Sequence, residues 1–169
     1  MRNLLFILLF IVFYACSMTR EHTDFRFAKR GFLLQQPTLL KTDGVYLNNT
    51  IGVNYEGKTI TGYSFYRFYE NGRCYVSTWQ EGTPNDSILK STDKAIGQRT
   101  FYRNEGNNVR IELWGGSYTG YIYRYATIDS NFLLINAFKS REFWTKKQKY
   151  KVALIYEYIP LNLSEKEEW

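Results

Sequence analysis

Residues 59–80 read TITGYSFYRFYENGRCYVSTWQ, which is the clearest structural signal in the chain. Two runs of aromatic and β-branched side chains, the kind that pleated sheets favour, flank the pair Asn71 and Gly72. Asn-Gly pairs readily adopt the positive φ angles that a two-residue hairpin turn requires. The segment therefore predicts antiparallel strands over residues 59–70 and 73–80, joined by a tight turn.

Short strands and polar turns continue on both sides of this hairpin. Residues 109–113 alternate apolar with charged side chains, which is typical of a strand with one buried face. Further strands are predicted over residues 40–47, 100–103, 109–114, 117–128, 132–138 and 150–159, with a short helix within residues 85–90 capped by Asn85 or Asp86. This spacing predicts an all-β domain over residues 37–160, an antiparallel barrel or sandwich of about eight strands.

The composition fits one folded domain and argues against two other classes of protein. Of the 169 residues, 44% are hydrophobic and 18% aromatic, which is too apolar for a disordered chain. Basic and acidic residues are mixed, with a net charge of +6, so no nucleic-acid partner is predicted. Residues 161–169 form an acidic tail.

The first fifteen residues have the pattern of a signal peptide. Arg2 is followed by an uncharged run over residues 4–15, which is too short to cross a bilayer because a spanning helix needs about 20 residues. The following sequence FYAC, residues 13–16, resembles the lipobox of bacterial lipoproteins, in the relaxed form of the Bacteroidetes type. The resemblance implies cleavage before Cys16 and acylation of that cysteine with fatty acids such as palmitate, which would hold the chain on a membrane. The alternative is an ordinary secreted protein with a cysteine near its cleavage site.

Residues 16–36 are predicted to form a tether between the lipidated cysteine and the domain. The segment is largely polar and charged, but five apolar residues could pack back on the domain: Phe25, Phe27, Phe32, Leu33 and Leu34. Ser17 follows the cysteine, and no acidic run follows it. In Bacteroidetes-type lipoproteins, an acidic run after the lipidated cysteine is similar to a tag for export to the cell surface. Its absence favours an outer-membrane position facing the periplasm over the cell surface.

Two motifs of the domain carry a second resemblance. The sequences TDGVY, residues 42–46, and FYENGR, residues 68–73, look like those of small Bacteroidetes-type lipoproteins with lipocalin-like barrels. The resemblance covers residues 40–158 and implies a lipocalin-like fold. Gly44-x-Tyr46 stands where true lipocalins carry Gly-x-Trp.

The residue types of the domain exclude several kinds of catalysis. The only histidine, His22, lies in the tether, so Ser-His-Asp and Cys-His mechanisms and histidine metal sites are excluded. No glycine loop has the pattern that binds phosphate. We therefore predict a protein that is not an enzyme and has no metal or cofactor. One open alternative is a carboxylate pair inside the barrel, drawn from Glu70, Glu112, Asp129 and Glu157.

A candidate ligand site follows from the alternation of residues 119–125. Tyr121, Tyr123 and Tyr125 share one face of a strand, and Arg124 lies on the other. Because burying an unpaired arginine is costly, we expect the tyrosines to face the interior and Arg124 to face solvent or cap an end. The complete set of predicted ligand-binding residues is Tyr66, Phe68, Tyr75, Trp79, Tyr121, Tyr123 and Tyr125. The alternative is that these aromatic side chains simply fill the core.

A second candidate surface is basic. The sequence between residues 139 and 151 concentrates Lys139, Arg141, Lys146, Lys147, Lys149 and Lys151. It is either a solvated loop or a patch that faces anionic lipid or lipopolysaccharide.

Two functions from different classes fit these observations. One is a non-enzymatic binding module that holds a small apolar or glycan-like ligand in the cell envelope. The other is a structural or assembly lipoprotein that docks on an envelope protein. An aromatic-lined cavity would favour the first, and a filled barrel with an exposed apolar patch would favour the second.

The anchor gives the first testable prediction. Mass spectrometry of the native protein should find an acylated N-terminus at Cys16, because this cysteine follows the signal-peptide run directly. Cys16→Ser should release the protein from membranes, since the lipid is the expected attachment. A soluble mature chain that begins at another residue would contradict the prediction.

Overall fold

The computed structural model describes residue 27 and residues 37–53, 58–92, 96–115, 120–140 and 148–161. The signal peptide, Cys16, most of the tether and most of the acidic tail lie outside these ranges. The described elements are β1 (Gly44–Val53), β2 (Thr59–Phe68), β3 (Arg73–Ser77), β4 (Gln80–Glu81), α1 (Asp86–Lys90), β5 (Gly97–Glu105), β6 (Asn108–Trp114), β7 (Tyr121–Asp129), β8 (Phe132–Ser140) and β9 (Gln148–Pro160).

Eight of these strands form a closed antiparallel barrel. The pairing runs from β1 through β9, β8, β7, β6, β5 and β3 to β2, and β2 pairs back with β1. The short strand β4 is additional and pairs with β2 at Gly62 and Tyr63. The prediction of an all-β antiparallel domain is therefore confirmed, and the architecture is a barrel rather than a sandwich.

Some strand boundaries differ from the prediction for local reasons. The first strand was expected over residues 40–47 but spans Gly44–Val53, because its second half is polar and carries little strand signal. The third strand ends at Ser77, and the chain pairs again only at Gln80. The predicted helix is confirmed, and its N-cap is Asn85, whose side chain accepts a hydrogen bond from the Ile88 amide at 3.0 Å.

The closed end of the barrel is sealed by the segment that precedes β1. Leu40 is buried in the core cluster at this end. The Thr38 hydroxyl donates to the Gly106 carbonyl at 3.0 Å, and the Leu39 amide donates to Asn107 Oδ1 at 2.9 Å. These bonds tie the segment to the β5–β6 turn, so the strand predicted from residue 40 is instead a plug across the barrel.

The interior next to this plug is filled by aromatic rings. The rings of Phe68 and Tyr102 meet edge to face with centroids 4.9 Å apart, and Tyr46 meets Phe68 at 5.7 Å. The Tyr102 hydroxyl donates to the Tyr69 carbonyl at 2.7 Å, while the Tyr46 hydroxyl accepts from the Lys41 amide at 3.0 Å. Each phenol thus buries its ring and still has a polar partner.

A second apolar cluster lies on the outer face of β1, β2 and β3. Leu47 of β1 pairs with Phe65 of β2, one residue away from the inward-facing pair Tyr46–Tyr66. Leu89 of α1 is buried in this outer cluster. The short helix therefore covers one wall of the barrel, which explains why these strands are apolar on both faces.

The buried tyrosines predict a loss of stability at alkaline pH. Burial raises the pKa of Tyr46 from 10.0 to about 12, and burial also raises the pKa values of Tyr66 and Tyr102. The unfolded chain loses these protons near its ordinary tyrosine pKa, whereas the folded chain keeps them. The contribution of these tyrosines to the free energy of unfolding should therefore be constant below pH 10 and fall between pH 10 and 12, by about 1.4 kcal/mol per pH unit for each retained proton.

Urea unfolding followed by circular dichroism at increasing alkaline pH measures this slope. Tyr46→Phe removes one of the retained protons and should make the slope shallower by about one proton. A slope that is the same in the wild type and in Tyr46→Phe would show that this phenol does not control the alkaline transition.

Candidate functional site

The pairing of β6 with β7 decides which side chains face the interior. Arg124 lies directly opposite Ile111, which is fully buried in the core. Side chains of directly paired residues share one face of the sheet, so Arg124 faces into the barrel. The neighbouring pairs Glu112–Tyr123 and Arg110–Tyr125 face outward. The prediction that the tyrosines face inward and Arg124 faces outward is therefore wrong.

The prediction fails because Arg124 and the tyrosines of β7 contact residues of other strands, which the sequence of β7 alone does not reveal. Inside, Arg124 Nη1 donates a hydrogen bond to the Tyr66 hydroxyl, and its guanidinium lies 5.6 Å from the Tyr66 ring centroid. Outside, the Tyr123 hydroxyl donates to Glu112 Oε1 at 2.9 Å. The Arg110 guanidinium lies 5.5 Å from the Tyr125 ring.

Arg124 has no acidic partner inside the described barrel. Strand pairing turns no aspartate or glutamate of the described strands towards the interior. Burial raises the pKa of Tyr66, so its phenol is neutral at physiological pH and is no counterion. Burial would lower the pKa of Arg124, but its interaction with Tyr66 prevails and raises it. The interior thus holds a positive charge that no carboxylate of the described strands balances.

Further hydroxyls lie beside this guanidinium. The Tyr66 and Tyr156 rings meet edge to face with centroids 4.8 Å apart. The Tyr156 and Ser64 hydroxyls form a hydrogen bond at 3.2 Å. Within the described residues, Tyr66 accepts from Arg124 and donates to no protein acceptor, so its own hydroxyl hydrogen is available.

At the end opposite the plug the described strands β1 and β9 separate, and we call this the open end. Leu154 of β9 pairs with Ile135 and therefore faces inward, yet Leu154 is 45% exposed while Ile135 is 1% exposed. The ladder between β1 and β9 stops at Leu47–Glu157, although β1 continues to Val53. Beyond that point the Asn48 side chain reaches across, donating to the Ile155 carbonyl at 2.6 Å. Solvent therefore reaches the inner wall at this end.

The structure divides the seven predicted ligand-binding residues among several places. Tyr66 and Phe68 lie together in the interior, with rings stacked at 6.1 Å. Tyr75 belongs to the outer cluster under α1, and Trp79 lies against Gly62 with much of its ring exposed. The remaining three line the outer wall: Tyr121, Tyr123 and Tyr125.

The structure shows a contact on the outer wall that the sequence suggested only in general terms, through the apolar residues of the tether. Glu112 is fully buried although it faces outward, because Phe27 covers it. The Phe27 amide donates to Glu112 Oε2 at 2.9 Å, and its ring lies 5.3 Å from the Arg103 guanidinium. The Phe27 and Tyr123 rings are 6.0 Å apart. At this residue the tether packs on the barrel.

The other candidate groups are not assembled into a site. Glu112 lies on the outer wall, and the other carboxylates considered for catalysis are exposed: Glu70, Asp129 and Glu157. The carboxylate pair that the sequence left open as an alternative is therefore not formed by these residues. Of the predicted basic surface, Lys139 is partly buried on the outer wall and Lys151 is exposed. Arg141, Lys146, Lys147 and the Lys149 side chain lie outside the described residues.

Two further features concern the described residues alone. They contain no group of three or more His, Cys, Asp or Glu side chains placed to hold a metal ion. In the same part of the chain, no helix is long and apolar enough to cross a membrane.

The chain has no match among protein families, curated proteins or solved structures.

The position of Arg124 predicts that it lowers the stability of the ligand-free protein. Arg124→Met removes a charge that lacks a counterion and keeps most of the side chain's apolar volume. We expect the free energy of unfolding to rise by about 1–2 kcal/mol, measured by urea denaturation. Arg110→Met, at an exposed position on the adjacent strand, should change it by less than about 0.5 kcal/mol. A destabilisation by Arg124→Met would mean that the arginine serves mainly to support the core.

Proposed function

We propose that this chain is a lipid-anchored, non-enzymatic binding protein of the bacterial cell envelope, whose barrel holds one small, largely apolar ligand. The anchor is the acylated Cys16, and the expected position is the outer membrane facing the periplasm. The proposal joins the lipobox-like sequence at the N-terminus with a barrel that is closed at one end and open at the other.

A single observation carries the binding role. Leu154 is an inward-facing apolar side chain that is 45% exposed, so the open end of the barrel leaves apolar inner surface in contact with water. Water on a concave apolar wall is released when a ligand covers that wall, and this release drives binding. In the described closed end, aromatic rings fill the corresponding interior space.

The same inner wall favours an apolar ligand over a glycan. Leu113 and Ile122 form an inward-facing pair near the open end, and both belong to or pack on the core cluster that contains Tyr156. A glycan would need several converging polar groups to replace its bonds to water. Four described polar side chains face this region but already form hydrogen bonds within the protein: Asn48, Thr50, Ser64 and Gln98. An apolar body with a single polar end therefore fits better.

Blocking the inner wall tests the proposal. Leu154→Trp places a large ring inside the open end, whereas Ile155→Trp places the same ring on the outside, at a position that is 57% exposed. Titration calorimetry would use the full chain in phospholipid nanodiscs, with 1-octanol and maltose as probes and empty nanodiscs as the blank. Circular dichroism would verify that both variants are folded.

We expect 1-octanol to bind the wild type and Ile155→Trp with affinities within about twofold of each other. Leu154→Trp should weaken binding about tenfold or more, because the ring occupies the ligand's volume. Equal binding by both variants, or the absence of binding to the wild type, would count against a ligand inside the barrel.

One observation favours docking on an envelope protein as a second candidate function. Ile51 and Ile155 are exposed on the outer side of β1 and β9, where the ladder between these strands has ended. Exposed apolar side chains beside unpaired strand edges are typical of a surface that another chain covers. Under this function, Ile155→Asp should remove a specific cross-link to the partner in intact cells, while Leu154→Trp should leave it in place.

A further inference from the structure

We infer that Arg124, together with the Tyr66 hydroxyl, binds the carboxylate head group of an anionic amphiphile whose apolar chain extends towards the open end of the barrel. This inference rests on the proposed function, since it names the chemistry of the ligand that the barrel holds. It concerns the polar end of that ligand, whereas the binding role was argued from the apolar wall.

The guanidinium has unused hydrogen-bond donors that face the interior. An arginine has five N–H donors, and within the described barrel Arg124 makes one hydrogen bond, to the Tyr66 hydroxyl. Arg124 is only partly buried. A planar guanidinium presents two parallel N–H bonds, which match the two oxygens of a carboxylate.

Tyr66 adds a neutral donor at the same place. Its oxygen already accepts a hydrogen bond from Arg124, which leaves the hydroxyl hydrogen for a ligand oxygen. Because burial keeps this phenol protonated, it can donate to an anion without repelling it. One carboxylate could therefore accept from the guanidinium and from the hydroxyl together.

Charge balance selects a carboxylate rather than a phosphate monoester. Arg124 is the only basic side chain that strand pairing turns into the described interior, and no acidic side chain is turned there. One carboxylate carries one negative charge and balances it. A phosphate monoester carries a charge of about −1.5 to −2 at neutral pH and would leave excess negative charge in a largely apolar space.

The order of side chains along the strands sets the direction of the ligand. On β7, Ile122 shares the inner face with Arg124 and lies two residues closer to the open end. On β9, Leu154 stands in the same relation to Tyr156. Below Arg124, the ring cluster around Phe68 fills the barrel. The head group therefore lies at Arg124, directly above the ring cluster, and the apolar chain points towards the open end.

Three probes of equal chain length test the inference on the unaltered protein. Octanoate, 1-octanol and octylamine would each be titrated into the full chain in phospholipid nanodiscs, with empty nanodiscs as the blank. We expect octanoate to bind about tenfold or more tightly than 1-octanol, because a hydrogen bond to a charged partner adds to the shared apolar contribution. Octylamine should bind most weakly, since its ammonium repels the guanidinium.

Matched variants assign the preference to one residue. Arg124→Gln should weaken octanoate binding about 10- to 100-fold and change 1-octanol binding by less than about threefold. Arg110→Gln alters an arginine on the outer wall of the adjacent strand and should leave both affinities unchanged. Tyr66→Phe should weaken octanoate binding by a smaller factor, because it removes only the neutral donor.

The possible failures are distinguishable. If the wild type binds 1-octanol as tightly as octanoate, or if Arg124→Gln keeps the preference for octanoate, the head-group assignment is wrong and the binding role stands. If the wild type binds none of the three probes, the proposed function fails and the assignment fails with it. The comparison of probes on the wild type decides the question even if Arg124→Gln does not fold.

Discussion

Closure of the sheet through β1 is the constraint on which the rest of the molecule depends. β1 pairs with β2 over eight residue pairs but with β9 over only four. The short ladder lies at the end where the Leu40 segment crosses the barrel, so that end is both paired on all sides and plugged. At the other end β1 and β9 separate. The plugged end and the open end of the barrel thus follow from the unequal lengths of the two ladders that β1 forms.

Closure also means that each strand side chain points either into or out of the barrel, and the inner and outer side chains differ in what they contact. Inward-facing rings fill the closed half and end at Arg124 and Tyr66. Outward-facing side chains would normally be polar, yet on two walls they are covered. The helix α1 covers the wall of β1, β2 and β3 through Leu89, and Phe27 covers the wall of β6 and β7 above Glu112. A domain of this size can bury apolar surface outside its barrel because short segments fold back on it.

The fold could be predicted from local sequence because its signals are local. The Asn71-Gly72 turn, the alternation in residues 109–113 and the Asn85 cap each depend on neighbours within a few residues. The candidate site could not be predicted in the same way. Alternation separates Arg124 from Tyr123 and Tyr125 but does not say which face lies inside. That depends on Ile111 across the ladder and on Tyr66, which is 58 residues away in sequence. The burial of Glu112 likewise depends on Phe27, 85 residues distant.

The contact of Phe27 with the wall has a consequence for the distance between the barrel and a bilayer. A tether that is free from Cys16 to residue 37 contains 21 residues and extends to about 70 Å at about 3.4 Å per residue. Attachment at Phe27 leaves 11 residues, or about 37 Å. With lipid on Cys16, the barrel is thereby kept within roughly one bilayer thickness of the surface. If Cys16 carries the proposed lipid, the chain that leads to the anchor leaves the barrel from the wall that carries Arg103, Glu112 and Tyr123.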